Sequence, residues 1–135
     1  MADALPPGEE IPPPETVTVL VCASCRREGD PAEAPRPGAA LLAATERAAA
    51  GRGVAVRRTG CLGNCGRGLT AAIYRAGCWT YVFGGLGPDS AEDLVAGALL
   101  LAGSRDGFMP YGARPEALRA GLIARIPRPE MLGDL

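Results

Sequence analysis

The pattern of apolar and polar positions predicts a strand, a helix and a second strand in the first half of the chain. The β-branched run Thr16–Val21 has strand character. Ala39–Ala50 consists mostly of strong helix formers and is followed by Gly51, a residue suited to a helix C-terminus. Val54–Arg57 is again short and contains β-branched residues, so it predicts the second strand.

Two alternating segments follow and predict a β-hairpin. They are Leu69–Arg75 and Cys78–Phe83, and the two residues between them, Ala76 and Gly77, suit a tight turn. An antiparallel pair of strands is therefore expected to follow the first two strands.

A further helix is predicted over Ser90–Ala102, because Ser90 and Asp93 approximate the spacing of a capping box. The resulting order is β-α-β-β-β-α. A helix that joins two strands implies that these strands are parallel neighbours, whereas hairpin strands are antiparallel. The pattern therefore predicts an α/β fold in which helices flank a mixed sheet.

Composition divides the chain into three parts. Residues 1–15 are rich in proline and predict a flexible arm, residues 16–102 hold the predicted α/β domain, and residues 103–135 form a C-terminal extension. The extension contains one predicted short helix, Pro115–Ala120, and too many apolar residues for a disordered tail. We expect it to cover one sheet edge, or to pack on a second copy of the chain in a homodimer. Three of its arginines are expected to stay at the surface for a partner: Arg114, Arg119 and Arg125.

Composition and charge narrow the class of function. The formal net charge is −1, which argues against a general nucleic-acid-binding protein. We expect a cytoplasmic protein without a membrane anchor, because the sequence has no long apolar segment and no secretory signal. It also has no histidine and no phosphate-binding loop, so we expect no enzymatic activity. In the cytoplasm, an odd number of cysteines, here 5, indicates metal binding or redox chemistry more than a disulfide framework.

Four of the cysteines form two pairs, each placed just after a predicted strand. Cys22 and Cys25 are the first pair, in a C-x2-C spacing, and Cys61 and Cys65 are the second, in a C-x3-C spacing. Parallel neighbours have their carboxyl ends at the same edge of a sheet, so we expect the two pairs to converge on one site. Four converging thiolates are the ligand set of a metal centre.

Several chemistries fit such a site. The glycine-rich segment CLGNCGRG favours a 2Fe–2S cluster, because glycines let backbone N–H groups approach the sulfurs. A structural zinc (Zn) site needs the same four thiolates and also tolerates glycine, and a metal-delivery protein would bind the metal exchangeably. A thiol–disulfide exchange motif is expected to start a helix, but a proline-containing loop is predicted over Arg26–Gly38.

Cys78 is the fifth cysteine and lies in the predicted hairpin. It alternates with Thr80 and Val82 along the second hairpin strand. Free cysteine is often buried as a small apolar residue, and four ligands are already supplied. We therefore expect Cys78 to be buried and not to bind the metal.

The sequence around these cysteines resembles the thioredoxin-like 2Fe–2S ferredoxins. The resemblance rests on VLVCASC and on TGCLGNCGRGLTAAIYRAGCWTYVFGGLGPDSAEDLV, and it covers Thr16–Ala102. It implies a thioredoxin-like fold and one-electron transfer to a redox partner protein. It also implies a 2Fe–2S cluster on Cys22, Cys25, Cys61 and Cys65, although the first two cysteines are closer in sequence than is usual in those ferredoxins.

The C-terminal segment FMPYGARPEALRAGLIARIPRP resembles an uncharacterised bacterial family described as predicted metal-binding proteins. That resemblance implies a metal-binding function and a role beside cobalamin or cobalt metabolism.

Arginines lie within a few residues of the cysteine pairs. A 2Fe–2S cluster on four thiolates is negatively charged, and more so after reduction, so nearby arginines would favour the reduced state and attract an acidic partner. Arginines that are merely solvated would contribute little. The arginines concerned are Arg26, Arg27, Arg57, Arg58 and Arg67.

Overall fold

Five strands and three helices make up the part of the chain described by the computed structural model, which is residues 12–23, 37–60, 62, 68–129 and 132. The elements are β1 (Thr18–Cys22), α1 (Pro37–Ala49), β2 (Ala55–Thr59), β3 (Ala71–Tyr74), β4 (Thr80–Phe83), α2 (Ala91–Ala102), α3 (Glu116–Ala120) and β5 (Leu122–Ile126). The predicted α/β fold is confirmed. Most of the predicted N-terminal arm and of the first loop lies outside the described residues.

The strands form one sheet in the order β2-β1-β3-β4-β5. β1 and β2 are parallel, and their register runs from Thr18 opposite Ala55 to Cys22 opposite Thr59. The other neighbouring pairs are antiparallel. The prediction that the first two strands are parallel neighbours joined by a helix is therefore confirmed, and so is the mixed sheet.

The helices pack on one face of this sheet. Alternate residues of the three central strands point to that face and are at most 1 % exposed: Val19, Val21, Ala71, Ile73, Tyr81 and Phe83. They share one apolar core with Leu41 of α1 and with Leu94 and Leu101 of α2. Burial of each such large side chain contributes roughly 1.5–3 kcal/mol to folding. Among the described residues, no helix is both long enough and apolar enough to cross a membrane.

The last strand, β5, was not predicted from the sequence. It pairs with β4 at the outer edge of the sheet, with Tyr81 opposite Arg125 and Phe83 opposite Leu122. Four of its five residues are apolar (LIARI), so its sequence lacks the alternation of apolar and polar positions by which half-buried strands are recognised. The sheet therefore includes residues on both sides of the domain boundary predicted at residue 102.

The start of α2 differs from the predicted capping box. Ser90 precedes the helix, but its side chain makes no cap hydrogen bond. The Ser90 hydroxyl instead accepts a hydrogen bond from the N–H of Gly87 at 3.0 Å. The hydroxyl therefore stabilises the turn before the helix, and the prediction of a capping box with Asp93 was wrong.

The prediction that Arg114 stays at the surface was also wrong. Arg114 is only 6 % exposed. Its guanidinium lies 5.3 Å from the ring centroid of Tyr81 and 5.4 Å from that of Tyr111, and it donates a hydrogen bond to the carbonyl of Met109 at 2.5 Å. Aromatic rings and a backbone acceptor thus replace water around this arginine, whereas Arg125 is exposed as predicted.

Two glycines allow the C-terminal segment to pack closely on the rest of the molecule. At Gly97 in α2, a Cβ atom would collide with Cδ1 of the buried Leu118 in α3. At Gly121, between α3 and β5, a Cβ atom would lie 2.6 Å from the carbonyl oxygen of Ala117 and 2.7 Å from that of Gly84. Backbone atoms cannot move aside as a side-chain terminus can, so the approach of β5 to the end of β4 requires glycine at position 121.

We expect Gly121→Ala to lower the free energy of unfolding by about 1–3 kcal/mol, because the added methyl group meets two backbone carbonyls. Urea denaturation followed by circular dichroism measures the change. Gly112→Ala is the matched control, since a Cβ atom at Gly112 would meet nothing within 4 Å. Equal stability of the two variants would contradict this account of the junction.

Candidate metal centre

Cys22 is the last residue of β1, and backbone hydrogen bonds fix it on both sides. Its N–H donates to the carbonyl of Thr70 at 3.1 Å, on the β3 side. The N–H of Ala23 donates to the carbonyl of Thr59 at 3.1 Å, on the β2 side. The Cys22 thiol donates to the carbonyl of Gly60, with 2.7 Å between sulfur and oxygen. The end of β1 is therefore held in place by the strands on either side of it.

The chain segment that contains Cys61 and Cys65 begins and ends beside Cys22. Gly60 precedes Cys61 directly and accepts the hydrogen bond of the Cys22 thiol. Thr70 follows the segment and accepts the hydrogen bond of the Cys22 N–H. The parallel pairing thus brings the ends of the two cysteine-bearing segments together at one sheet edge.

The segment is also anchored just before Thr70. Leu69 is fully buried, and its backbone exchanges two hydrogen bonds with Leu86, at 3.3 and 3.1 Å. The direction of the chain is consequently fixed where it returns to the sheet.

Three of the four predicted ligands, Cys25, Cys61 and Cys65, lie outside the described residues, so the ligand set stays a prediction. The described ranges hold no cluster of three or more side chains of the kinds that bind metals. Of the five arginines predicted near the site, Arg57 and Arg58 are described. Arg58 is exposed, one residue before the end of β2.

The chemistry of Cys22 fits a ligand for a soft metal. It is 2 % exposed, and as a thiol it donates a proton toward a carbonyl oxygen. Metal binding requires the thiolate, so the proton must be released and this hydrogen bond lost when a metal binds. Thiolate is the ligand that iron–sulfur clusters and cysteine-bound zinc share.

Cys78 is buried, as predicted, and lies far from Cys22 along the sheet. It is 2 % exposed, and its sulfur lies 4.0 Å from the carbonyl oxygen of Leu101 in α2. Cys78 lies in the turn after β3, whose last residue, Tyr74, pairs with Thr18 at the beginning of β1. Cys22 is at the other end of that strand. The rise along β1 separates these two ends by about 13 Å. Cys78 therefore packs in the core and is not placed to bind a metal together with Cys22.

The sequence marked Gly60 only as one of the glycines beside the second cysteine pair, and sequence reasoning did not identify the carbonyls of Gly60 and Thr70 as acceptors at the candidate site. Both act through backbone carbonyls, which every residue has, so no side-chain pattern marks them. Their role depends on the strand pairing, which brings their carbonyls next to Cys22.

Similar solved structures define the class of fold. A thioredoxin-like [2Fe-2S] ferredoxin from Aquifex aeolicus superimposes with a TM-score of 0.55, at 20% sequence identity over 85% of this chain and 96% of the ferredoxin. A structure of the wild-type ferredoxin gives 0.53 at 18% identity, over 82% and 98%. A cysteine-to-serine variant gives 0.52 at 19%, over 80% and 98%. The chain therefore has the thioredoxin-like ferredoxin fold.

The sequence profile of a family described as "Protein of unknown function (DUF1636)" matches residues 19–128. The chain belongs to this family. No curated protein matches the sequence.

We expect Cys22 and Cys78 to be protected from alkylation in the folded, metal-free protein, because both are only 2 % exposed. Iodoacetamide should modify each at least about tenfold more slowly than in the urea-unfolded chain, since reaction requires local opening. Mass spectrometry of peptides after timed labelling measures the rates. Labelling of Cys22 at its unfolded-state rate would mean that the end of β1 is not held as described.

Proposed function

We propose that this protein is a one-electron carrier that holds a 2Fe–2S cluster on four thiolates and is not an enzyme. The ligands in this proposal are Cys22, Cys25, Cys61 and Cys65. The observation that carries it is the placement of Cys22 between the two ends of the segment that contains the second cysteine pair.

The length of the chain limits how far the second cysteine pair can lie from Cys22. Cys61 follows Gly60 directly, and Cys65 lies midway between Gly60 and Thr70 in the sequence. Five residues span at most about 18 Å even when fully extended. Gly60 and Thr70, at the two ends of the segment, both accept hydrogen bonds from Cys22. The short chain between them therefore limits the distance from Cys61 and Cys65 to the Cys22 thiol.

The fold neighbours support iron–sulfur chemistry over other thiolate chemistry. The similar structures are named as 2Fe–2S ferredoxins, and the described strands of this chain are arranged in the same fold. A 2Fe–2S cluster, when bound, supplies reversible one-electron transfer. The contribution of the protein in this proposal is the set of four thiolates, of which Cys22 is held in place by the β2 and β3 backbones.

The partner is proposed to be an acidic redox protein. The exposed Arg58 adds positive charge near the carboxyl end of β2, and a positive surface beside a redox site attracts negatively charged partners. The proposed link to cobalamin or cobalt metabolism rests on sequence resemblance alone.

Protein purified or reconstituted under anaerobic conditions should contain about two irons and two sulfides per chain. It should be brown and show the visible absorption of a 2Fe–2S centre. Iron, sulfide and zinc analysis on the same sample, together with an optical spectrum, measures this. One zinc per chain in colourless protein, with no cluster after reconstitution, would replace the electron carrier with a structural zinc module. Readily exchangeable metal would indicate a delivery protein.

Substitution of each cysteine by alanine should separate ligands from structural residues. Replacing Cys22, Cys61 or Cys65 should abolish the cluster, since each proposed ligand supplies a thiolate. Cys25→Ala should do the same.

Cys78→Ala is the matched control, because it removes a thiol from the core at the other end of β1. Its cluster content and spectrum should match those of the wild type, while unfolding should cost about 1 kcal/mol less. Loss of the cluster in Cys78→Ala, with the fold retained, would contradict the placement of the site at the end of β1.

A further inference from the structure

A cavity of about 400 Å³ lies near the β5 edge of the sheet, which is the edge opposite to β2. It is formed by β4, β5 and the segment that precedes α3. Tyr81, Leu122 and Arg125 contribute from the two strands, and Phe108, Tyr111 and Arg114 line it from the connecting segment. The volume is within the range of small-molecule sites. None of the described residues that line the cavity is acidic.

Arg114 is the unusual member of this lining. It is 94 % buried, since its exposure is 6 %, and its Nε is buried with no hydrogen-bond partner. Among the described residues, no carboxylate lies within ion-pair distance of it. An arginine cannot escape burial by losing its proton, so an uncompensated guanidinium costs several kcal/mol. The rings of Tyr81 and Tyr111 and the carbonyl of Met109 offset part of this cost.

Two further donors face the same space. Tyr81, opposite Arg125 in the sheet, accepts a hydrogen bond from the N–H of Met109 at 2.9 Å, which leaves the hydroxyl hydrogen to be donated. Arg125 lies 4.7 Å from the ring centroid of Trp79 and 4.8 Å from that of Phe108, so its guanidinium stacks on aromatic rings, and no carboxylate of the described residues lies within ion-pair distance of it.

The apolar walls are held in place independently of any ligand. Phe108 stacks on Trp79 with 5.2 Å between ring centroids. The carboxylate of Asp106 accepts hydrogen bonds from the N–H of Phe108 at 3.0 Å and from the hydroxyl of Ser104 at 2.9 Å. These two bonds hold the pKa of Asp106 below its ordinary value, so the turn keeps its charged acceptor at neutral pH and weakens as the pH falls through that pKa.

We propose that this cavity binds a small organic anion, with its oxyanion group against Arg114, Arg125 and the Tyr81 hydroxyl and its apolar body against Phe108 and Tyr111. Guanidinium groups and a hydroxyl donor suit either a carboxylate or a phosphate monoester. An inorganic ion alone would leave the aromatic walls uncovered. The site does not depend on the proposed cluster, because none of its lining residues belongs to β1 or β2 and β3 lies between β1, which ends in Cys22, and β4.

Isothermal titration calorimetry with benzoate and with phenyl phosphate tests the proposal, and neutral benzamide is the ligand control. We expect at least one anion to bind and benzamide to bind at least about tenfold more weakly, since a neutral amide cannot form the charge-assisted hydrogen bonds that an anion forms with guanidinium groups. The anion that binds more tightly identifies the class of oxyanion. Trp79 is the only tryptophan, so its indole N–H signal in NMR spectra reports binding at this site specifically.

Arg125→Gln and Tyr81→Phe should each weaken binding, the first by about tenfold, and Arg114→Gln should abolish it. Arg52→Gln is the matched control, because Arg52 also carries one positive charge and pairs with a carboxylate, that of Glu92 at 3.3 Å, but does not line the cavity. If the Arg114→Gln variant does not fold, the anion affinities of the Arg125→Gln and Tyr81→Phe variants test the proposal. The proposal is overturned if neither anion binds below about 10 mM, if benzamide binds equally well, or if Arg52→Gln weakens binding as much as Arg125→Gln. In any of these cases Arg114 serves only to brace the turn at Met109.

Discussion

The parallel pairing of β1 with β2 is the constraint on which the proposed metal centre depends. It sets Cys22 opposite Thr59, and the thiol consequently reaches the carbonyl of Gly60. A shift of this register by one residue would turn every side chain of β1 to the opposite face and expose Val19 and Val21. The burial of those two valines therefore also holds the position of the Cys22 thiol. In this fold, the packing of the core and the placement of the proposed ligand Cys22 depend on the same strand register.

The sequence was sufficient for the elements whose apolar pattern is strong. The β-branched run before Cys22 and the alanine-rich segment of α1 predicted a strand and a crossover helix, and their order predicted the parallel pair. β5 was not predicted because its sequence, LIARI, does not alternate between apolar and polar residues. Arg114 was placed wrongly because the rule that charged residues are exposed takes no account of aromatic rings and a backbone carbonyl brought together by the fold. Backbone acceptors such as Gly60 leave no signal in a sequence.

The candidate metal centre and the proposed anion cavity lie at different strands of one sheet. Cys22 marks the end of β1, whereas the cavity of Arg114 is formed by β4, β5 and the segment before α3. Between them runs the continuous buried face of the central strands, which packs against both long helices. Such an arrangement lets a fixed thiolate site and an anion site be altered separately, because neither shares a side chain with the other.

The position of β5 at the outer edge of the sheet has a consequence for how copies of this chain meet. An edge strand presents unpaired N–H and C=O groups on which a strand of another molecule can add, and this is a route to aggregation. The chain leaves β5 through Pro127 and Pro129, which have no N–H to offer. A second copy that approached edge to edge at these positions would find no backbone donor there. β5 is thus the last strand of the sheet, and the prolines that follow it disfavour the addition of a strand from another molecule.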